Sequence, residues 1–342
     1  MLLDCSPMTL GATSIQTLVG YEGLSRLCRA AGDPLRLEIL RSLARDAYGV
    51  LELCQIFGMR QPAMSHHLKV LAEAGLVQRR REGTSIYYSR SHRAPTEELD
   101  PPLQAILAAA DRLELEEATA RGIAAVQEAR ANNSREFFAM NAPKFHAQQE
   151  LIAPCAQYAG AVGDLLAALL PGGCALAVEL GPGDGWLLPE LARRSRRVVA
   201  IDNAPEMLAQ ARQRCTAGRL ANVELMHGDS AAARALEATA DLVVANMVLH
   251  HTASPAGVLR DLAAALRPGG LLLLTDLCAH AQAWAREACG DLWLGFAPEA
   301  LSHWSGAAGL EEGESVYLAL RNGFRIQVRV FQRRAEQTRA RP

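Results

Sequence analysis

Nine residues at 178–186, VELGPGDGW, place three glycines and two carboxylates in one short turn. Glycines at 181, 183 and 185 would let the backbone touch a ligand, as they do between a strand and a nucleotide-binding helix. The dinucleotide fingerprint G-x-G-x-x-G, however, requires its third glycine at the position of Trp186. The turn therefore predicts a nucleoside-type ligand that is not a dinucleotide.

Acidic side chains in and after this turn indicate the charge of that ligand. A dinucleotide presents a pyrophosphate to the helix N-terminus, whereas S-adenosylmethionine has no phosphate and carries a sulfonium and an ammonium group. Glu179 and Asp184 favour the cationic ligand. Asp202 ends the next apolar segment, RVVAID, at the spacing at which an acid meets a ribose in doubly wound folds. The residues thus predict S-adenosylmethionine as the cofactor.

Short apolar runs alternate with helical segments from residue 174 onward, which predicts a parallel sheet covered by helices on both faces. In such sheets ligands lie beyond the carboxyl ends of the strands. Glu179, Asp202, Asp229 and Asn246 all occur at or just after these ends. A turn at 322–323, Asn-Gly, predicts a final antiparallel hairpin.

Five segments in order, ELGPGDG, VVAID, HGD, DLVVANMVLHH and LRPGGLLLLTD, resemble the motifs of class I S-adenosylmethionine-dependent methyltransferases over residues 174–278. The resemblance implies that Glu179 borders the methionine, Asp202 binds the ribose hydroxyls and Asn246 lies behind the sulfonium. It also places Asp229 by the adenine, where Met207 would pack, although Met207 fits a core position equally well. The predicted cofactor-binding residues are Glu179, Gly181, Gly183, Asp184, Gly185, Asp202, Asn203, Met207, Asp229, Ser230, Asn246 and Met247.

His250 and His251 are the candidate catalytic residues, and the methyl acceptor is expected to be a small molecule, with S-adenosylhomocysteine as the other product. Methyl transfer is an in-line displacement, so a general base is needed only when the acceptor must first lose a proton. Histidine suits that task by its pKa. Either histidine can instead be structural, and Asp276, His280 and His303 are further candidates.

The first hundred residues contain three helical patterns and one alternating segment. DPLRLEILRSLA begins with Asp33 as a helix cap and Pro34 at the first helical position. GVLELCQIFGM predicts a second helix ending near Gly58, and QPAMSHHLKVLAEAGLV a third ended by Gly75. The short turn between these two helices is that of a helix-turn-helix. LVQRRREGTSIYYSRS alternates about 83–84, which predicts a two-stranded wing.

Basic residues are concentrated in this part of the chain. Residues 1–95 contain twelve Lys and Arg against eight Asp and Glu, a net charge of +4, so with a total of −2 the remainder carries −6. Within 60–93 seven basic residues stand against two acidic ones. Such an excess releases counterions from a phosphate backbone, although a merely solvated charged face would look the same.

Residues 24–93 resemble the winged helix-turn-helix of the ArsR/SmtB transcription regulators, through AGDPLRLEIL, QPAMSHHLKVLAEAGLV and RRREGTSIYY. The resemblance implies a homodimer on a double-stranded DNA operator, with the third helix in the major groove. The predicted DNA-binding residues are Arg60, Gln61, Ser65, His66, His67, Lys69, Arg79, Arg80, Arg81, Thr84 and Tyr87. Many family members sense metal through a cysteine pair, but the matching helix here has only Cys54, so no metal site is expected.

The expected fold class is α/β, with an N-terminal winged helix-turn-helix (15–95), a helical dimerisation and linker region (96–170) and a C-terminal Rossmann-like seven-stranded methyltransferase domain (171–335). Within the linker region, NNSREFF at 132–138 predicts a new helix cap at Asn133 or Ser134. No signal-peptide pattern or apolar run of membrane-spanning length occurs, so we expect a cytoplasmic protein with no membrane partner. The leading hypothesis is a DNA-binding regulator whose methyltransferase domain either catalyses or only senses the cofactor. The alternative is a small-molecule methyltransferase whose winged helix serves only for dimerisation.

Overall fold

The computed structural model describes residues 20–82, 85–91, 94–141 and 144–335, which form two compact units with the boundary between 123 and 124. The first unit is a winged helix-turn-helix and the second is a Rossmann-like α/β domain, as the sequence predicts. None of the helices in these residues is both long enough and apolar enough to cross a membrane.

The first unit consists mainly of helices. Its elements are α1 (Gly20–Ala31), α2 (Pro34–Ser42), β1 (Tyr48–Gly49), α3 (Val50–Phe57), α4 (Gln61–Glu73), β2 (Val77–Glu82), β3 (Ser85–Arg90), α5 (Asp100–Asp111) and the start of α6 (Glu117–Asn141). Asp33 caps α2 by accepting a hydrogen bond from the Arg36 amide at 3.0 Å, and Gly58 ends α3 in the left-handed conformation at φ +60°. The three strands pair in the order β1-β3-β2, so the predicted wing is present.

Helix α5 lies within the first unit although the sequence assigns residues 96–170 to one connecting region. Its residues Leu103, Leu107 and Ala110 are buried. Arg90, itself buried, donates two hydrogen bonds to the Asp111 carboxylate at the end of α5. Packing therefore divides the expected connector, and its second part, from residue 124, belongs to the other unit.

The second unit is built on a seven-stranded sheet of order β6-β5-β4-β7-β8-β10-β9. Its strands are β4 (Cys174–Leu180), β5 (Ser195–Asp202), β6 (Val223–His227), β7 (Ala240–Asn246), β8 (Leu266–Leu277), β9 (Leu310–Ala319) and β10 (Arg325–Arg333). The first five strands are parallel, and β10 pairs antiparallel with both β8 and β9. The hairpin turn predicted at 322–323 joins β9 to β10, with Gly323 at φ +89°.

Helices cover this sheet and complete its core. They are the end of α6, α7 (Phe145–Ile152), α8 (Ala159–Leu169), α9 (Leu188–Arg194), α10 (Pro205–Ala217), α11 (Ser230–Arg234), α12 (Pro255–Ala265), α13 (Trp284–Cys289) and α14 (Pro298–Ala307). Val162, Leu165 and Leu166 of α8 join the main hydrophobic core with residues of β4 and β7. Strand β4 has β5 on one side and β7 on the other, so the chain reverses its direction of progress across the sheet at this strand. Ligands of open α/β sheets bind at such switch points.

The sequence predicts a new helix start at Asn133 or Ser134, and this prediction is wrong because α6 continues through both residues. The hydroxyl of Ser134 does not cap a helix but donates a hydrogen bond to the His251 carbonyl at 3.0 Å. That hydrogen-bond partner lies 117 positions further along the chain, so local sequence pattern cannot predict it.

Candidate functional site

Helix α4 of the first unit is apolar on one side and polar on the other. Met64, Leu68 and Leu71 are fully buried at 0% exposure. The opposite side carries predicted DNA-binding residues: Gln61, His66 and Lys69 are exposed, and Ser65 and His67 are half-buried. Arg60, immediately before the helix, is also exposed. The spacing of buried residues thus leaves a face of hydrogen-bond donors and acceptors on the second helix of the helix-turn-helix motif.

The wing also carries predicted DNA-binding cations, which differ in their exposure to solvent. Arg79 and Arg81 are exposed, whereas Arg80 is half-buried, and burial lowers its pKa to about 10. Tyr87 is half-buried, and Thr84 lies outside the described residues. Arg90, counted in the basic excess, is only 5% exposed and is held by Asp111. Its charge therefore belongs to the interior of the unit rather than to its surface.

The glycine turn of the second unit follows β4, and all three glycines adopt positive φ: Gly181 +66°, Gly183 +57° and Gly185 +78°. Residues with a Cβ rarely adopt this conformation. A Cβ on Gly181 would collide with the Val248 side chain, and one on Gly185 would lie 2.9 Å from Leu188 Cδ1. The backbone at the end of β4 is therefore specified by glycine, and the Gly181 amide donates a hydrogen bond to the Ile201 carbonyl of β5 at 2.8 Å.

Glu179 lies one residue before the end of β4 and is only 1% exposed, and its Oε2 has no hydrogen-bond partner. Burial, together with the charges of Asp184 and Asp202, raises the pKa of Glu179 to about 8. An unpaired buried carboxylate is costly unless a cation or a proton compensates it. The site is thus one in which a bound cation would be strongly favoured.

Asp202, at the end of β5, is 9% exposed and lies near Glu179. Its Oδ1 accepts a hydrogen bond from the Ala204 amide at 2.9 Å. Burial raises the pKa of Asp202 to about 6, although backbone amides of Ala204, Gly183 and Asn203 oppose that rise. Asp184 is engaged differently, because it forms an ion pair with Arg214 at 2.7 Å. The acidic residues expected from the sequence therefore come together, with Glu179 and Asp202 the most buried.

Asn246 ends β7, beside the glycine turn, and its Oδ1 is buried without a partner. Tyr158, just before α8, was not predicted from the sequence. Burial raises the pKa of Tyr158, and a hydrogen bond from the Asn246 side chain opposes part of that rise. The Tyr158 ring packs edge-on against Trp186 at 5.7 Å between centroids. No local pattern marks Tyr158, because its partners come from the turn after β4 and from the end of β7.

The other predicted cofactor residues surround this centre less closely. Asn203 is exposed, and Met207 is buried at 2% with Ala204, against Phe138. Asp229 is exposed and caps α11 through the Ala231 amide at 2.9 Å. The Ser230 hydroxyl donates to Asp261 at 2.6 Å, and Met247 is 6% exposed with an unusual φ of +53°.

His250 and His251 follow β7 and differ in their protonation chemistry. Burial disfavours a charge on His250, but the Asp276 and Asp291 carboxylates outweigh it and raise the pKa of His250 to about 9. Burial and the neighbouring His250 charge lower the pKa of His251 well below its usual value. His250 Nδ1 lies 2.7 Å from Asp276 Oδ1, and His251 Nδ1 lies 3.2 Å from the Gly290 carbonyl. Asp291, which the sequence did not single out, completes this buried cluster.

Comparison with known proteins assigns a family to each unit. Residues 33–79 match the family of bacterial regulatory proteins of the arsR type, and residues 178–274 match a methyltransferase domain family. An uncharacterized HTH-type transcriptional regulator of Methanocaldococcus jannaschii is 42% identical over 71 residues, which are 20% of this chain and 78% of that protein. A ubiquinone biosynthesis O-methyltransferase of Methylocella silvestris is 33% identical over 134 residues, 37% of this chain.

The chain spans 50% of the length of that O-methyltransferase. Among solved structures, the N-methyltransferase NodS of Bradyrhizobium japonicum in complex with S-adenosyl-L-homocysteine aligns with 51% of this chain and 86% of its own, at 19% identity and a TM-score of 0.40. The arsR family and the regulator of Methanocaldococcus jannaschii match the first unit, and the methyltransferase family and the O-methyltransferase match the second unit. The chain therefore belongs to the ArsR family of bacterial regulators, and its winged helix-turn-helix is fused to a class I S-adenosylmethionine-dependent methyltransferase domain.

Proposed function

We propose that this protein is a DNA-binding transcriptional regulator that binds S-adenosylmethionine in its second unit and methylates a small-molecule acceptor there. The observation that carries the proposal is the buried carboxylate of Glu179, whose Oε2 has no partner at the switch point of the sheet. A carboxylate kept in such a place implies a cationic partner, and S-adenosylmethionine carries two positive groups.

The residues of the site fit that cofactor in type and position. Glu179 would pair with the ammonium of the methionine part, beside the turn whose backbone Gly181 and Gly183 hold in the left-handed conformation. Asp202 would accept hydrogen bonds from the ribose hydroxyls. Asn246 would turn its free Oδ1 towards the positive sulfur. Asp229 and Ser230 follow β6, where the adenine would lie.

When bound, S-adenosylmethionine supplies an already activated methyl group, so the chain needs mainly to align the acceptor and exclude water. Tyr158 and Trp186 pack together beside Asn246 and would close that side of the site. His250 is fully buried and holds its proton at neutral pH, because its pKa is raised to about 9 by the flanking carboxylates. We therefore give His250 no role as a general base.

DNA binding is proposed for the exposed face of α4 together with the wing. Gln61, Ser65 and His66 would reach base edges or phosphates, while Arg79 and Arg81 would contact the backbone. We propose that the chain binds its operator as a homodimer, because one helix-turn-helix covers only one half-site. Methylation and DNA binding then reside in different units of the same polypeptide.

Calorimetric titration of the full chain with S-adenosylmethionine and S-adenosylhomocysteine tests the cofactor assignment. Wild type should bind one molecule per chain. Asp202→Asn should weaken binding by about 10- to 100-fold, since a charge-assisted hydrogen bond contributes about 1.5 to 3 kcal/mol. Asp164→Asn, an exposed aspartate on α8, is the matched control and should bind as wild type does. Absence of binding in the folded wild type would refute the proposal.

A further inference from the structure

Three potential metal ligands meet behind the end of β7, in a place that the cofactor proposal does not use. His250 and His251 lie in a short 3-10 turn after this strand, and Asp291 lies in the loop after α13. One ligand atom from each of the three lies within 4.8 Å of the others. The relative exposures of His250, His251 and Asp291 are 0%, 6% and 2%.

Three of the polar atoms in this cluster lack hydrogen-bond partners. His250 Nε2 and both carboxylate oxygens of Asp291 are buried and unsatisfied. Asp291 Oδ1 lies 3.9 Å from His250 Nε2 and 3.9 Å from His251 Nδ1. These separations are too long for hydrogen bonds but fit donors on one ion, because two ligands about 2.1 Å from a metal are about 3 to 4 Å apart.

The orientation of His250 matches that of a metal ligand. Its Nδ1 bonds to Asp276, whose carboxylate is fixed by the amides of Leu249 at 3.0 Å and Leu277 at 2.8 Å. A carboxylate that holds the far nitrogen of a histidine sets the tautomer and directs the other nitrogen to the metal. Here that other nitrogen is the unsatisfied Nε2.

His251 can offer its Nδ1 in one of its two tautomers. The Gly290 carbonyl lies 3.2 Å from this nitrogen, and the Gln149 side-chain amide lies 3.4 Å from Nε2. With the proton on Nε2, the amide oxygen of a rotated Gln149 would accept it, and Nδ1 would be free to bind a metal. The Gly290 oxygen, beside Nδ1, then becomes a further oxygen donor.

The types of the ligand atoms point to a divalent transition-metal ion. The cluster offers two imidazole nitrogens and one carboxylate, and the carboxylate of Asp276 holds His250 from behind. Nitrogen with carboxylate ligands suits Zn²⁺, Fe²⁺, Co²⁺ or Mn²⁺.

We propose that His250, His251 and Asp291 bind one divalent transition-metal ion, oriented through Asp276. This site goes beyond the proposed function, since it uses neither Glu179 nor Asp202 and does not depend on the cofactor. In the metal-bound protein both histidines are ligands rather than bases. A proton on His250 is the competing occupant of the same space.

The test is uptake of Co²⁺ and Zn²⁺ by the full chain after removal of metal with a chelator. Metal analysis should give one ion per chain, and Co²⁺ should show the visible absorption of nitrogen and oxygen ligation. Asp291→Asn and His251→Gln should each weaken Co²⁺ binding at least 10-fold. Asp164→Asn and His303→Gln, at exposed positions, are the matched controls and should bind as wild type does.

Circular dichroism and S-adenosylmethionine binding identify any variant that fails to fold. If a variant does not fold, its binding measurement is replaced by competition between Zn²⁺ and Co²⁺ on the wild-type protein. Uptake that Asp291→Asn and His251→Gln leave unchanged would overturn the site. So would a wild type that takes up neither Co²⁺ nor Zn²⁺.

Discussion

Glu179 stands out at the scale of single residues because its carboxyl group is buried beside two other acids. Burial and these charges raise its pKa from 4.5 to about 8, so the folded, ligand-free protein keeps a proton on Glu179 at neutral pH. Ionisation in the unfolded chain begins near pH 4.5. This carboxyl group therefore disfavours the folded state increasingly as pH rises from about 4.5 to 8.

A cationic ligand should favour the ionised form of Glu179, which gives the first prediction. Pairing with the ammonium group lowers the pKa of Glu179, so binding of S-adenosylmethionine at pH 7 should release nearly one proton from this residue. The affinity for S-adenosylmethionine should therefore rise from pH 6 to pH 7. In this range Asp202, with a pKa of about 6, adds a smaller release of protons. Asp184 is already paired with Arg214.

Calorimetry in buffers of different ionisation enthalpy measures the released proton. The range of pH 6 to 7 avoids titration of the ligand's own amino group, whose pKa is near 7.7 to 8.0. Glu179→Gln should lose most of the release, whereas Glu150→Gln, an exposed control, should retain it. Equal proton release from the two variants would contradict an ion pair with Glu179.

The position of a residue in the fold could be predicted where its neighbours in sequence define that position. Glu179, Asp202 and Asn246 follow from their place at strand ends, and the structure brings them to one edge of the sheet. Tyr158 and Asp291 could not be predicted in this way. Asp291 meets the histidine pair only because α13 returns the chain to the end of β7, and no local periodicity encodes that return.

At the scale of elements, the turn after β4 shows how one glycine can specify a strand exit. Gly181 has φ +66°, and a Cβ there would collide with Val248. Gly181→Ala should therefore destabilise the second unit by about 1 to 3 kcal/mol, from left-handed strain alone, and weaken cofactor binding as well. Gly163→Ala is the matched control.

Gly163 lies inside α8 with no atom within 4 Å of an added Cβ. Alanine there should stabilise the helix by about 0.5 to 1 kcal/mol. Thermal unfolding of both variants, followed by cofactor titration, separates the two effects. The interpretation of the turn fails if the two alanines shift the unfolding transition in the same direction by similar amounts.

The wing is the second element with a measurable role. Arg79 and Arg81 are exposed on β2, so replacing both by Ala should lower DNA affinity and reduce the salt slope by about 1 for each phosphate that is no longer neutralised. Anisotropy titrations with a duplex selected by the full chain from a random-sequence pool would measure this. Arg193→Ala, at an exposed position of the second unit, should leave the slope unchanged.

A salt slope that is identical in wild type and in the wing double variant would remove the wing from the DNA interface. If the pool yields no selected duplex even at low salt, the winged helix serves only to dimerise the chain.

Element prediction was strongest where capping and periodicity agree. The start of α2, the end of α3 and the hairpin at 322–323 follow from Asp33, Gly58 and the Asn-Gly pair, because each satisfies a local backbone requirement. The predicted break at Asn133 or Ser134 was wrong, because the Ser134 hydroxyl bonds to a distant carbonyl and not to the start of a helix. Arg90 likewise has the sequence context of a surface cation, but Asp111 of α5 holds it in the interior.

At the scale of the whole molecule, the charge difference along the sequence does not coincide with the boundary between the two units. Residues 96–123 contain seven Asp and Glu against two Arg, a net charge of −5, and they belong to the first unit. Counted along the sequence up to residue 123, these negative charges outweigh the +4 of residues 1–95. The unit boundary between 123 and 124 falls inside α6, which belongs to both units. No composition or linker signal marked that position, because the helix continues through it.

Because α6 runs through the boundary between the two units, we propose that cofactor binding and DNA binding are coupled. Operator titrations test this central claim most directly. The selected duplex is titrated with wild type in three states: ligand-free, with S-adenosylmethionine and with S-adenosylhomocysteine. The two ligands differ by a methyl group and a positive charge beside Asn246, so we predict different operator affinities, with ligand effects of about 5- to 150-fold, as for a coupling of about 1 to 3 kcal/mol. Linkage requires that DNA change cofactor affinity by the same factor. Three superimposable curves would contradict the account, because the cofactor would then have no influence on the DNA-binding unit.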